Sequence, residues 1–296
     1  MTRYQVSHRT SYVYGSAVTD AYSVACLLPR DRHSQEVVWS RVDTTPAPDE
    51  FVETRDVFGN HIVQLGVHHR HEAFEIVAES IVDTTVPELP TISTPWEEVA
   101  AAAAGLRGQR AISVGPYRAA TTASTPTERF DLLSFLATSV FTPGRPIVEA
   151  LTALSAEIFE NFGFDSSATD LATPLDAVLE QRSGVCQDFA HLSIAVLRSI
   201  GLPASYVSGY IETDAPPGEE KSIGADASHA WLSAWTGEGW LDIDPTNHQV
   251  PPTRHVTVGW GRDYADVAPV RGVVLGLNSD QTMEVAVDVR RIDEAA

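Results

Sequence analysis

A chain of 296 residues has room for two modest domains, or for a core domain with an accessory one. Hydrophobic residues make up 43% and aromatics 8%, which supports a packed core and argues against wholesale disorder. A formal net charge of −20 repels phosphate backbones and anionic bilayers, so neither nucleic acid nor membrane is an expected partner, while a basic peptide or amine substrate remains open.

Cys26 and Cys186 are the only cysteines, too few for a disulfide scaffold. The opening Met1-Thr2-Arg3-Tyr4-Gln5-Val6 has no apolar signal region. No stretch approaches the roughly 20 apolar residues that span a bilayer, so a cytoplasmic protein is the expectation.

In chain order, residues 1–88 read as an antiparallel β-sandwich-like domain. Tyr4, Val6 and His8 alternate with polar neighbours, and Val37 to Val42 is β-rich. Phe51 to Val57 ends at the turn Phe58-Gly59-Asn60, and Ile62 to Val67 and Phe74 to Val82 flank a cluster of histidines. From Pro87 the grammar turns helical. Thr94-Pro95, Thr125-Pro126 and Thr173-Pro174 each place Thr at an expected N-cap and Pro at the first helical position. Pro146 to Phe162 reads as an amphipathic helix with Ile147, Leu151, Leu154, Ile158 and Phe159 on one face. Strands return at Tyr206 to Ile211, His229 to Trp235 and Trp240 to Ile243, with a polar loop over Asp214 to Ala227. Met283 to Arg290 alternates as a half-buried strand. The expected division is 1–88, a core over 89–270, and strands over 271–296 that pack on a sheet.

The stretch that carries chemistry is Arg182-Ser183-Gly184-Val185-Cys186-Gln187-Asp188-Phe189. Phe189, Leu192, Val196, Leu197 and Ile200 then recur at helical spacing, with Gly201 at C′ and Pro203 blocking continuation. Cys186 therefore falls in the first turn of a helix, where the dipole and free N–H groups favour a thiolate and can receive an oxyanion. By position alone it could equally be a packed cysteine. A base decides the matter. His229 opens a strand that the turn Thr236-Gly237-Glu238-Gly239 folds back on Trp240 to Asp244. Closing that hairpin puts Trp231 near Asp244 and His229 one same-face step away, within reach of its carboxylate. An imidazole oriented by a carboxylate is what a general base needs.

Other candidates fit less well. His191 lies five residues past Cys186, about 140° around the helix. Asp242, facing Ser233, is the runner-up acid. His61, His68, His69 and His71 sit at turns without a ligand pattern, so no metal is expected. His248 and His255 are placed in a loop, and Cys26 lies in the packed apolar run Val24 to Leu28.

These residues resemble the bacterial transglutaminase-like family. Gly184 to Ala190, Gly201 to Ala204, Tyr206 to Tyr210, Asp226 to Trp231, Asp244 to Asn247 and Gly261 to Pro269 look like its core, and Tyr4 to Tyr14 and Asp56 to Asn60 like its N-terminal β-domain. The resemblance spans nearly the whole chain. It implies an α+β protein with a papain-like core, no cofactor, and a Cys-His-Asp triad carried over onto Cys186, His229 and Asp244. The family has an aromatic pair upstream, the second often tyrosine. Here the pair is Phe162 and Phe164, so Phe164 brings no phenol, and Gln181 and Gln187 stand in as candidates beside the oxyanion pocket. The implied activity is cysteine-dependent acyl transfer on peptide or carboxamide bonds, with peptidase or amidase chemistry favoured over crosslinking. The alternatives are a non-catalytic protein-binding module and a cofactor-dependent acyltransferase.

Overall fold

The computed structural model describes residues 1–169, 173–214, 224, 226–276 and 280–292. Most of the polar segment expected over Asp214 to Ala227 lies outside these described residues.

Period-two sequence builds the first region. It comprises β1 (Thr2–Val18), β2 (Asp20–Ala25), β3 (Gln35–Thr45), β4 (Glu50–Arg55), β5 (His61–Val67) and β6 (His71–Thr84). Along β1, Tyr4, Val6, His8 and Thr10 are buried, while Gln5 and Arg9 face out. The helices follow: α1 (Trp96–Gly105), α2 (Gly108–Val114), α3 (Phe130–Val140) and α4 (Ile147–Asn161). After them come β7 (Gly163–Phe164), α5 (Leu175–Gln181), β8 (Ser183–Gly184) and α6 (Cys186–Ser199). The chain closes with β9 (Ala204–Ile211), β10 (Ala227–Trp235), β11 (Trp240–Ile243), β12 (His255–Gly261), β13 (Val270–Leu275) and β14 (Gln281–Arg291).

Two four-stranded antiparallel sheets, ordered β14-β1-β6-β3 and β13-β2-β5-β4, enclose a cluster that includes Leu27, Leu65, Phe74 and Ile76. The last two strands thus complete sheets begun by the first ninety residues. β14 pairs Val289 with Val6 and Val287 with His8, and β13 pairs Val270 with Ala25. β4 is exposed throughout its length, an outer strand guarded by Glu50, Glu53 and Arg55.

The core sheet runs β11-β10-β9-β12, all antiparallel. Its even-numbered β10 residues, Ala230, Leu232 and Ala234, join one apolar cluster with α6, α4, α3 and α5. α6 is buried from Asp188 to Arg198 without interruption, so it is the central helix, with helices on one side and the sheet on the other. The odd-numbered face of β10 turns instead towards the sandwich. There the Gln35 side chain donates to the Thr257 carbonyl at 2.8 Å and accepts from the Thr257 N–H at 2.8 Å. The Asn60 side chain does the same with Trp260, at 2.8 and 3.0 Å. Sandwich and core are stitched along β12.

Three sequence expectations change. In α1 and α5 the proline itself, not the threonine, is the N-cap, because its extended ψ of 143° or 150° lets its carbonyl start the helix. No helix begins at Thr125-Pro126. The amides of Thr127, Glu128 and Arg129 are taken instead by the Asp176 carboxylate of α5, at 2.8–3.0 Å, and α3 starts only at Phe130. Phe159 is 52% exposed, since it sits about 100° around α4 from Ile158. Its ring stacks on His248, 5.9 Å between centroids.

Candidate active site

Local sequence sets each part of the site before the fold joins them. Cys186 is the first residue of α6, and Val185 is its N-cap. Val185 has no side-chain oxygen for the helix amides, so only half a capping box forms: Asp188 Oδ2 accepts from the Val185 N–H at 2.8 Å and from the Thr169 hydroxyl at 2.6 Å. The first-turn N–H groups, that of Cys186 among them, have no acceptor within the helix. Gly184 is needed for the approach, because a Cβ there would stand 2.7 Å from Asp188 Oδ2.

β10 carries His229 to the same place. The hairpin register pairs Leu232 with Ile243 and Ser233 with Asp242, which continues to Trp231 across from Asp244. Asp244 then leaves the strand in a short loop, its N–H donating to the Gln249 carbonyl at 2.8 Å. His229 Nε2 lies 2.8 Å from Asp244 Oδ2. The Cys186 side chain lies close enough to the His229 ring to raise its pKa, and with Nε2 on the carboxylate, Nδ1 is the nitrogen left to face the sulfur. Burial pushes the imidazole pKa down, but Asp244 and Cys186 outweigh burial and hold it raised, at about 10. Asp244 is 0% exposed, a heavy cost for an anion, yet the hydrogen bonds from His229, His255 and Asn247 hold its carboxyl well below the usual range.

Cys186, His229 and Asp244 are therefore brought together. Asp242 is not part of that group. It accepts from Trp231 Nε1 at 3.0 Å and from Arg32 of the sandwich at 2.5 Å. Trp231 is fully buried over β9, where Gly209 makes room: a Cβ at 209 would meet the indole at 2.5 Å. His191 is buried and accepts from the Tyr264 N–H at 3.2 Å, and burial lowers it to about 4. Gln187 is half-buried in the first turn of α6, and Gln181 is exposed at the end of α5. Phe164 pairs in parallel with Gly184 and is 61% exposed. Cys26 is 3% exposed, and burial pushes its thiol up to about 12.

One residue was misplaced by sequence. His255 is not in a loop. It opens β12, is 5% exposed, and its Nε2 lies 3.0 Å from Asp244 Oδ2. The alternation of His255-Val256-Thr257-Val258 after Pro251-Pro252 signals the strand, but nothing local signals its neighbour. Asn247 Nδ2 adds a third donor to Oδ2 at 2.7 Å, and the Thr246 and Asn247 amides reach Oδ1 at 3.0 and 3.2 Å. Among the described residues, His229, Asp244 and His255 are the one group of three potential metal ligands whose atoms fall within 4.8 Å. Their geometry is that of two imidazoles hydrogen-bonded to one carboxylate oxygen. No helix among the described residues is long and apolar enough to cross a membrane.

Comparison with known proteins agrees with this architecture. The bacterial transglutaminase-like N-terminal region matches residues 4–83, and the transglutaminase-like superfamily core matches residues 135–245. An uncharacterized protein of Mycobacterium tuberculosis is 42% identical across 97% of this chain and 92% of its own length. One from Mycobacterium leprae is 33% identical, covering 99% and 100%. A solved protein of Cytophaga hutchinsonii, provisionally named a cysteine protease, shares the fold: TM-score 0.73 at 20% identity, over 100% of this chain and 92% of that one. With relatives this similar along its whole length and both family regions matched in order, the chain belongs to the transglutaminase-like superfamily, as a papain-like core joined to a bacterial transglutaminase-like N-terminal region.

Proposed function

We propose that this protein is a cysteine-dependent peptidase or amidase in which Cys186 is the nucleophile, His229 the general base and acid, and Asp244 the group that orients His229. The observation that carries the reading is the His229 ring held on Asp244 at 2.8 Å and near enough to the Cys186 side chain for that thiol to raise its pKa. His229 takes the Cys186 proton, and the sulfur attacks a peptide or carboxamide carbonyl. The resulting oxyanion faces the free first-turn amides of α6. The C–N bond then breaks as His229 returns the proton to the departing amine or ammonia, leaving a thioester on Cys186. Water, losing a proton to His229, adds to the thioester and releases the acid with the thiol restored. An amine in place of water gives a new amide.

Hydrolysis is favoured because the thioester would stand in the open. Cys186 is only partly buried, so bulk water reaches the thioester and outcompetes a dilute amine. The substrate class is a peptide or protein bearing an accessible amide. Mass spectrometry of a peptide library incubated with the protein, with and without a primary amine, tests this. Backbone cleavage or amide-to-acid conversion is expected to exceed amine adducts and to vanish with Cys186→Ala. Product formation that survives this substitution ends the proposal. So does an absence of product in a protein whose Cys186 alkylates no faster than Cys26, which is the outcome expected of a binding module.

A further inference from the structure

Asp244 Oδ2 receives two imidazoles, and the proposed mechanism uses only one. His255 reaches it from β12 at 3.0 Å. Its ring is held edge-on to Trp231, 5.2 Å between centroids, and lies 5.6 Å from the His229 ring. A carboxylate oxygen only accepts, so the His255 nitrogen facing it carries a hydrogen. The other nitrogen, Nδ1, is buried with no hydrogen-bond partner. A proton there would be an unpaired buried donor beside a second cation, so the ring is kept neutral with Nδ1 bare. The charged groups around it are Asp244, His229 and Asp242, the last neutralised by Arg32.

We propose that His255 is a positioning residue for His229: as a neutral Nε2–H donor it fixes Asp244 Oδ2 in the line that keeps His229 oriented towards Cys186. Resting on the triad reading above, the assignment extends it to a fourth side chain that touches neither substrate nor sulfur. Because His255 donates without taking up a proton, it anchors the carboxylate and leaves the His229–Cys186 proton as the one that moves. Its ring also borders a cavity of about 510 Å³ between sandwich and core, away from the thiol, with Thr84, Pro252 and Trp240 in the wall.

The test needs no substrate. Iodoacetamide alkylation of Cys186 is followed by mass spectrometry between about pH 5 and pH 8.5 in the wild type, His229→Ala, His255→Phe and His255→Gln. Wild type is expected to label far faster than His229→Ala at the acid end. His255→Phe, which keeps the ring shape without a donor, should label about tenfold slower than wild type at the acid end and converge with it at the alkaline end. His255→Gln, whose amide N–H lies where Nε2 was, should stay within about threefold of wild type. Equal rates in wild type and His229→Ala would remove the triad reading itself. A fast wild type with His255→Phe unchanged, or with Gln no better than Phe, would leave the triad standing and overturn the role of His255. Should the Phe variant not fold, long-range 1H–15N spectra of the wild type decide. A neutral His255 with hydrogen on Nε2 and a bare Nδ1 is expected, and the opposite tautomer or a charged ring at neutral pH overturns the assignment.

Discussion

The two cysteines sit in two different regions and show how surroundings set the fate of one functional group. Cys26 lies where sandwich meets core, packed among Tyr4, Val6, Ile62, Tyr210 and Val258. Burial, with Asp56 adding to it, pushes its thiol up to about 12, so it stays protonated and inert. Cys186 is half-buried at the start of the central helix, with unspent amides beneath it and an imidazole beside it. On the proposed reading, the helix end and the base rather than the residue type set which cysteine reacts.

Substitution should break the contrast most sharply. Cys186→Ala is expected to cut turnover by about 10³-fold or more, whereas Cys26→Ala should leave turnover intact and cost about 1 kcal/mol of stability in urea unfolding. Next in size is Asp244→Ala. It strands the Nε2 hydrogens of His229 and His255 in a buried pocket, so a stability loss of about 3–5 kcal/mol accompanies the loss of fast Cys186 alkylation. Alkylation unchanged in a folded Asp244→Ala protein would detach the acid from the site. A smaller effect is expected from Gly184→Ala, whose Cβ would stand 2.7 Å from Asp188 Oδ2. Displacing that carboxylate from the Val185 amide should cost about 1–3 kcal/mol and slow labelling of Cys186 relative to wild type, with Cys26 unchanged.

The gentlest probe is pH, and it compares the two regions directly. His8 in the sandwich and His191 in the core are each lowered by burial to about 4, against 6.5 for a free histidine. Below 6.5 the unfolded chain takes up protons that these rings refuse, so stability falls from there down through about 4, in both regions. His229 behaves oppositely. Raised to about 10, it contributes stability that is whole below 6.5 and lost as pH rises through about 10. Urea midpoints against pH should fall at both ends. His191→Gln should flatten the acid side and leave the alkaline side alone.

How much of this was legible in the sequence differs by element. Strands β1 and β6 announce themselves by alternation, and the hairpin turn at Gly237 places Asp244 across from Trp231 by counting alone. β2 went unmarked, because the chain turns at Thr19 without glycine or proline and only its last two residues fall in the apolar run that starts at Val24. The acid at Asp176 caps a segment nearly fifty residues upstream, a partnership no local pattern encodes. His255 read as a loop residue, since its strand pairs with β9 rather than with a sequence neighbour.

The sequence by itself determined the short-range parts: a cysteine at a helix start, a histidine and an aspartate placed by one tight hairpin, and alternating strands at both ends of the chain. Each follows from backbone periodicity and turn chemistry, which act over a few residues. Tertiary structure alone decided the register in which β14 joins β1 and β13 joins β2, that the sandwich is tied to β11 through Arg32 and to β12 through Gln35, and that a second imidazole shares Asp244. Those outcomes depend on which distant surfaces bury one another and on how a fully buried carboxylate finds enough donors, and neither condition is written within any single segment.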